Sequence, residues 1–288
     1  MIMASAVQRE MSLQREAIVA DHDANWRRMV SEWNGQLSGH AFWLMYSANY
    51  LFNSHGLKWA VDPVRLHNRI PEAPAVDASS DLQALSFVLL THAHIDHCDT
   101  ELWSQLAPSQ CHWIVPEHMV DPFLGTEGMR RSRYSLARPG RELVLPGIRI
   151  MPFAAPHGEF NAAGDFCDVP ETGYMVEAGG STYLLPGDVR TYDPLFLTRF
   201  TGASAVFAHV FLGRSAALNP TPPLLDGAIA FFRACRPSTI VLSHLYELIR
   251  EPEDCWRFEH AKLMEQVFSS ADTGITVITP SWYERIWL

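Results

Sequence analysis

Thr91-His92-Ala93-His94-Ile95-Asp96-His97 places three imidazoles and a carboxylate within six residues, from His92 to His97. In an extended chain alternate side chains share a face, so His92, His94 and Asp96 point the same way. His97 breaks that parity and reaches its target through a turn, as happens where a strand hands over to a helix. Nitrogen and oxygen donors of this kind form a borderline-soft set that suits zinc, iron or manganese. An accidental surface cluster would not need the apolar run Ser86 to Leu90 that feeds directly into it. The pattern predicts a metal site at the end of a buried strand.

One such cluster cannot close two metal sites, and further donors stand just past other short apolar runs. His157 follows a strand ending at Phe153, Asp188 follows Thr182 to Leu185, and His244 follows Thr239 to Leu242. Asp62, in Val61-Asp62-Pro63, ends an early strand because Pro63 cannot continue a ladder. Rigid sheet meets loop at each of these points, where sites are commonly built. His209 lies on a strand between the Asp188 and His244 motifs and is a candidate proton donor to a leaving group. Arg190 and Arg214 follow the Asp188 motif and the His209 strand, and either could hold an anionic substrate group bidentately. Phe160, Tyr174, Tyr192 and Tyr246 are candidates for lining a pocket, and Cys98 and Cys167 for approaching the metals.

In this order the residues resemble the metallo-β-lactamase superfamily, over roughly residues 38 to 280. That pattern has an acidic residue ending an early strand, then HxHxDH, a later His, a later Asp and a final His. The resemblance implies an αββα four-layer sandwich with a two-metal centre on one edge. It assigns His92, His94 and His157 to one ion, Asp96, His97 and His244 to the other, and Asp188 as the bridge. Asp62 would hold the cluster loop rather than bind metal. Gly39-His40-Ala41-Phe42 and His97-Cys98-Asp99 look most like the ascorbate-6-phosphate lactonase branch, which includes relatives acting on phospholipid phosphodiesters. Cys98 and the Val189-Arg190 that follows Asp188 depart from the commoner pattern.

Two divalent ions sharing a water lower its pKa enough to give hydroxide near neutral pH. The implied activity is hydrolysis of an ester-like bond in a small molecule: a lactone, a carboxylic ester or a phosphodiester. Two zinc ions are the first expectation, with manganese or iron as alternatives. Asp96 would ligate and orient the nucleophile, and His209 would protonate the leaving group. Two rivals stand beside this reading. One is a mononuclear iron sulfur-dioxygenase on the same fold, the other a non-catalytic metal-binding protein.

The donors must be positioned by strands. Strands are predicted at Phe42 to Tyr46, Tyr50 to Phe52, Leu57 to Val61, Ser86 to Leu90, Trp113 to Val115, Ile148 to Phe153, Gly173 to Val176, Thr182 to Leu185, Ala205 to Phe211, Thr239 to Leu242 and Ile275 to Ile278. Helices are predicted at Asp99 to Leu106, Leu224 to Ala234 and Glu251 to Phe268, with a loop over 63 to 80. One domain with two sheets and helices outside, residues 38–288, accounts for this order. Residues 1–37 read as a helical extension, since Trp26, Met29, Val30 and Trp33 form one apolar stripe. Asp21 or Asp23 could cap a second helix within it. An oligomerisation arm is the alternative use of this segment, which leaves a homo-oligomer open.

The chain has 288 residues, enough for one large core. With 22 Lys and Arg against 32 Asp and Glu, the net charge of −10 argues against a general nucleic-acid binder. No apolar run approaches the roughly eighteen residues needed to span a bilayer, and Arg9, Glu10, Arg15 and Glu16 deny the first residues the apolar core expected of a secretion signal. Five widely spaced cysteines suggest a reducing cytoplasm.

Overall fold

The computed structural model describes residues 2–160, 166–210, 222–271 and 274–288. The first sheet takes β1 (His40–Leu44), β2 (Tyr50–Ser54), β3 (Leu57–Val61), β4 (Phe87–Leu89), β5 (His112–Pro116) and β6 (Arg133–Ala137). The second takes β7 (Leu143–Leu145), β8 (Ile148–Ala154), β11 (Thr172–Ala178), β12 (Ser181–Leu185), β13 (Ala205–His209), β14 (Thr239–Ser243) and β15 (Thr276–Ile278). A separate hairpin joins β9 (Gly158–Phe160) to β10 (Phe166–Asp168), and β16 (Arg285–Trp287) returns to the edge of the first sheet. The orders are β16-β1-β2-β3-β4-β5-β6 and β15-β14-β13-β12-β11-β8-β7. Each sheet is antiparallel at one end and parallel at the other.

Period-two alternation explains the layering. Phe42, Leu44, Phe52, Trp59 and Leu89 face the second sheet, whereas Ala41, Trp43, Leu51, Ala60 and Val88 face outward onto helices. Both faces of the first sheet are therefore buried, which is why its strands read as nearly continuous apolar runs. Between the sheets Phe52 stacks on Trp59 with centroids 3.8 Å apart, and Phe207 meets Phe42 and Tyr50 edge-on. Helices Pro222–Arg233 and Phe258–Ala271 supply Phe231, Phe232, Met264 and Phe268 to the same core. This is the helix–sheet–sheet–helix order expected from the sequence.

Several boundaries differ from expectation, each for a physical reason. Residues 2–34 form one helix of 33 residues, Ile2–Asn34, not a helix pair. Asp23 pairs with Arg27 at 2.8 Å along the helix instead of capping a new one. The stripe docks: Trp33 Nε1 donates to Phe52 O at 2.9 Å and Trp26 Nε1 to Asp81 Oδ2 at 2.7 Å. The turn between β2 and β3 is only His55-Gly56, both at positive φ (51° and 91°), as a two-residue hairpin loop requires. Within 63–80 lie short helices at Leu66–Arg69 and Ala78–Asp81. The last long helix starts at Phe258, not Glu251, since Pro252 disfavours helical backbone at the residue before it. No helix among the described residues is long and apolar enough to cross a membrane.

Candidate metal centre

The ends of β3, β4, β12, β13 and β14 carry Asp62, the His92–His97 segment, Asp188, His209 and His244. Within each sheet these strands run parallel, so their C-terminal ends open on one edge, where α/β proteins place their sites. Asp62 (φ 42°) and His244 (φ 60°) both sit in the left-handed region, a strained backbone that turns each side chain inward at its strand end. Asp99 accepts the Leu102 amide at 2.9 Å to cap the helix after the cluster, and also takes Arg65 Nε and Nη2 at 2.8 Å each. The cluster loop is thus pinned at both ends.

The loops bring together two triads. Donor atoms of His92, His94 and His157 lie within 4.8 Å of one another, and so do those of Asp96, His97 and His244. Asp188 stands between them, its Oδ2 3.8 Å from His92 Nε2 and 3.2 Å from His244 Nε2, its Oδ1 3.4 Å from His97 Nε2. His209 joins the second triad's side, with Nε2 3.5 Å from Asp188 Oδ1 and its ring 4.4 Å from that of His244. Among these residues only His94 is more than slightly exposed.

Behind the triads stand carboxylates that set the imidazoles' orientation. Asp62 Oδ1 accepts the Thr91 amide at 2.8 Å, and Oδ2 accepts the Thr91 hydroxyl and His97 Nδ1, the latter at 2.8 Å. Asp62 therefore ties Thr91 to His97. Glu171, buried, does the same for the other triad. Its Oε1 lies 3.1 Å from His92 Nδ1 and its Oε2 3.0 Å from His157 Nδ1, and it accepts the Asp188 amide at 3.0 Å. With Nδ1 hydrogen-bonded on His92 and His97, their Nε2 is left to face inward. Gly187 (φ 81°) makes room for this: a Cβ there would sit 2.3 Å from a Glu171 oxygen.

The donor set fits divalent cations. His97 Nε2 and His157 Nε2 are buried and make no hydrogen bond, and a cavity of about 30 Å³ beside His97, Asp188 and His209 has room for one water or ion. Burial opposes charge on His97 and His244, yet Asp188 with Asp62 or Asp96 raises both pKa values. Burial opposes charge on Asp96 and Asp188 too, yet the surrounding histidines hold both well below the carboxylate range. Glu171 is likewise held at about 2, against its burial, by His92 and His157. A field that gathers protons onto buried imidazoles attracts a divalent cation for the same reason. His209 differs: burial outweighs Asp188 and keeps it neutral.

Of the other predicted residues, Arg190 is partly buried, anchored by its amide donating to Pro156 O at 3.0 Å, and its charge reaches His209. Arg214 lies outside the described residues, as does the Phe160 side chain. Tyr174 belongs to the core and donates its hydroxyl to Leu90 O. Tyr246 is also in the core, and Tyr192 packs against Phe231. Burial pushes the Cys98 thiol up to about 12, and Cys98 is in none of the candidate metal-holding groups among the described residues. A groove of about 600 Å³ lined by His118, Pro139, Pro156, His157, Asp168 and Thr191 opens onto the first triad.

Three groups were missed. Glu171 precedes a strand, whereas the other donors follow one. Because β11 runs antiparallel to β8, with Thr172 opposite Ala154, its beginning shares the edge where β8 ends. Asn49, in the turn before β2, reaches the same edge and donates to both Asp62 O and Asp96 O at 2.8 Å. Arg250 Nη2 lies 3.0 Å from Asp96 Oδ2, and nothing in its local sequence marks it.

A family model for the Beta-lactamase superfamily domain matches residues 58–245, well over half of the chain. The chain belongs to that superfamily. Its fold is shared with Igni18, a metallo hydrolase from the hyperthermophilic archaeon Ignicoccus hospitalis. That likeness has a TM-score of 0.62 at 17% identity and covers 86% of this chain and 98% of that one. The diiron β-hydroxylase CmlA from Streptomyces venezuelae gives 0.61 at 15% identity, over 88% of this chain and 55% of CmlA. Zn²⁺-bound PqqB from Methylobacterium extorquens gives 0.56 at 15%, over 86% of this chain and all of PqqB (100%). No protein of curated function matches the sequence. Of the two segments that suggested the lactonase branch, His97-Cys98-Asp99 lies in the centre and Gly39-His40-Ala41-Phe42 lies apart from it. His40 is paired with Ser54, at the opposite end of the β1–β2–β3 ladder from the Tyr50–Val61 pair that leads to Asp62.

Proposed function

We propose that this protein is a metal-dependent hydrolase that holds two divalent ions and cleaves an ester-like bond of a small molecule. Lactones, carboxylic esters and phosphodiesters are the bonds to test, and zinc is the first metal to expect, ahead of manganese or iron. The reading is carried by the convergence of the His92–His94–His157 and Asp96–His97–His244 triads on Asp188. In it, His92, His94 and His157 would hold one ion and Asp96, His97 and His244 the other, with Asp188 available to both. Bound there, divalent ions supply Lewis acidity and acidify a water.

The chain's own groups do the rest. Glu171 and Asp62 fix the imidazoles, and Asp96 orients the nucleophile. His209, neutral and 3.5 Å from Asp188 Oδ1, keeps an N–H proton for the leaving oxygen. Arg190, with Arg214, holds an anionic part of the substrate, and the groove beside His157 admits it. The metallo hydrolase Igni18 and the Zn²⁺ in PqqB agree with this reading.

Elemental analysis of protein purified without chelator tests the proposal, for wild type and Asp188→Ala. About two zinc or manganese ions per chain, falling in the variant, justify assaying the three ester classes. A single iron with oxygen consumption would favour the dioxygenase. Absence of any ion after reconstitution would overturn the metal centre itself.

A further inference from the structure

The two triads share Asp188 but stand in different electrostatic surroundings. Behind His92 and His157 lies an anion, Glu171. Asp96 instead faces a cation: its Oδ2 takes Arg250 Nη2 at 3.0 Å as well as His244 Nε2 at 3.2 Å. That guanidinium is held in place. Arg250 Nε lies 3.7 Å from Glu247 Oε2, and Glu247 is itself gripped by Arg69, with Nη2 at 2.7 Å and Nε at 3.3 Å. Arg69 and Glu247 are buried, and the Arg250 side chain is three-quarters covered. A cation entering the Asp96–His97–His244 triad therefore meets a fixed positive charge on one of its own ligands.

We infer that Arg250 holds the affinity of the Asp96–His97–His244 triad for a divalent ion below what its three ligands would give. The ion at His92–His94–His157 is then resident and the ion at the second triad exchangeable. This rests on the two-ion reading above. Like charges a few ångströms apart in a protein interior repel by enough to change an affinity about tenfold or more. The opposite role is also well defined. A guanidinium that merely aims the Asp96 carboxylate would help the second ion bind, so the two roles predict opposite signs.

The experiment is a titration of chelator-stripped full-length protein with Zn²⁺ against a competing indicator, repeated with Co²⁺ for its spectrum. Wild type should show two steps. Arg250→Gln should tighten the second step about tenfold or more and leave the first within about twofold. Arg250→Lys, which keeps the charge, should stay near wild type. A second step that weakens or does not move in Arg250→Gln overturns the inference. The first step reports folding of each variant. If Arg250→Gln loses it, Arg250→Met, which keeps much of the side-chain stem, carries the same comparison with Arg250→Lys. Wild-type protein that takes up no ion overturns the metal reading itself, whereas two wild-type steps with an unmoved variant overturn only the role of Arg250.

Discussion

His92 and His157 stand in front of a buried carboxylate, whereas Asp96 stands in front of a braced guanidinium. The contrast follows from what each ligand needs. A neutral imidazole has two usable nitrogens, so an acceptor on Nδ1 fixes which one faces the centre and makes it more basic. A carboxylate already carries full charge, and a donor limits how strongly it binds. His97 belongs to the second triad but follows the imidazole rule, with Asp62 on its Nδ1 at 2.8 Å. The second triad therefore has an anion behind its imidazole and a cation on its carboxylate, whereas the first has only the anion Glu171 behind two imidazoles.

The contrast can be broken from the shared point outward. Asp188→Ala touches both triads, and metal content should fall from about two ions to below one per chain. Hydrolysis should drop by about three orders of magnitude, since metal polarisation supplies several kcal/mol of the barrier reduction. Elemental analysis and initial rates on the same preparation check both. Glu171→Gln should weaken the first triad about 10–100-fold and the second by much less. Stepwise titration separates the two, and equal losses would mean that Glu171 acts through Asp188, whose amide it also accepts.

Asp62→Asn should weaken the second triad about tenfold through His97, with the first left near wild type. Combined with Glu171→Gln, the losses should add if the halves are independent. The smallest effect concerns His22, buried in the N-terminal helix with neither ring nitrogen hydrogen-bonded. Burial holds its pKa at about 4, against about 6.5 in an unfolded chain. Between those values the unfolded state binds more protons, so stability falls as pH drops from about 6.5 to 4 and this group adds no further loss below. Thermal melts at pH 7.5 and 5 should show a smaller decline for His22→Phe, while its metal titration stays unchanged.

The inward-facing donors were legible because each follows a short apolar run, and a strand that ends at a sheet edge delivers whatever comes next. The division into two triads came from the resemblance to the superfamily, whose order of donors His92, His157, Asp188 and His244 follow. What escaped were groups placed by pairing geometry. Glu171 reaches the centre only because β11 is antiparallel to β8, a register that no local spacing announces. Arg250 reaches it through a segment without regular structure, whose Glu247 is gripped by Arg69 from the short helix Leu66–Arg69. Short strands such as β6 and β16 escaped for a related reason. Only one residue of the two, Ala137, is buried, so no apolar alternation marks them.

The 33-residue helix has a consequence for how the chain is made. Its buried face meets Asp81 through Trp26, and its His22 ring lies 5.6 Å from that of Tyr283. At about 5–20 residues per second, Tyr283 leaves the ribosome roughly 10–50 s after His22. Throughout that interval the His22 and Trp26 rings lack the Tyr283 ring they pack against. Closing the molecule is thus a late, long-range event, and a nascent chain must be kept from pairing this stripe with a neighbour's.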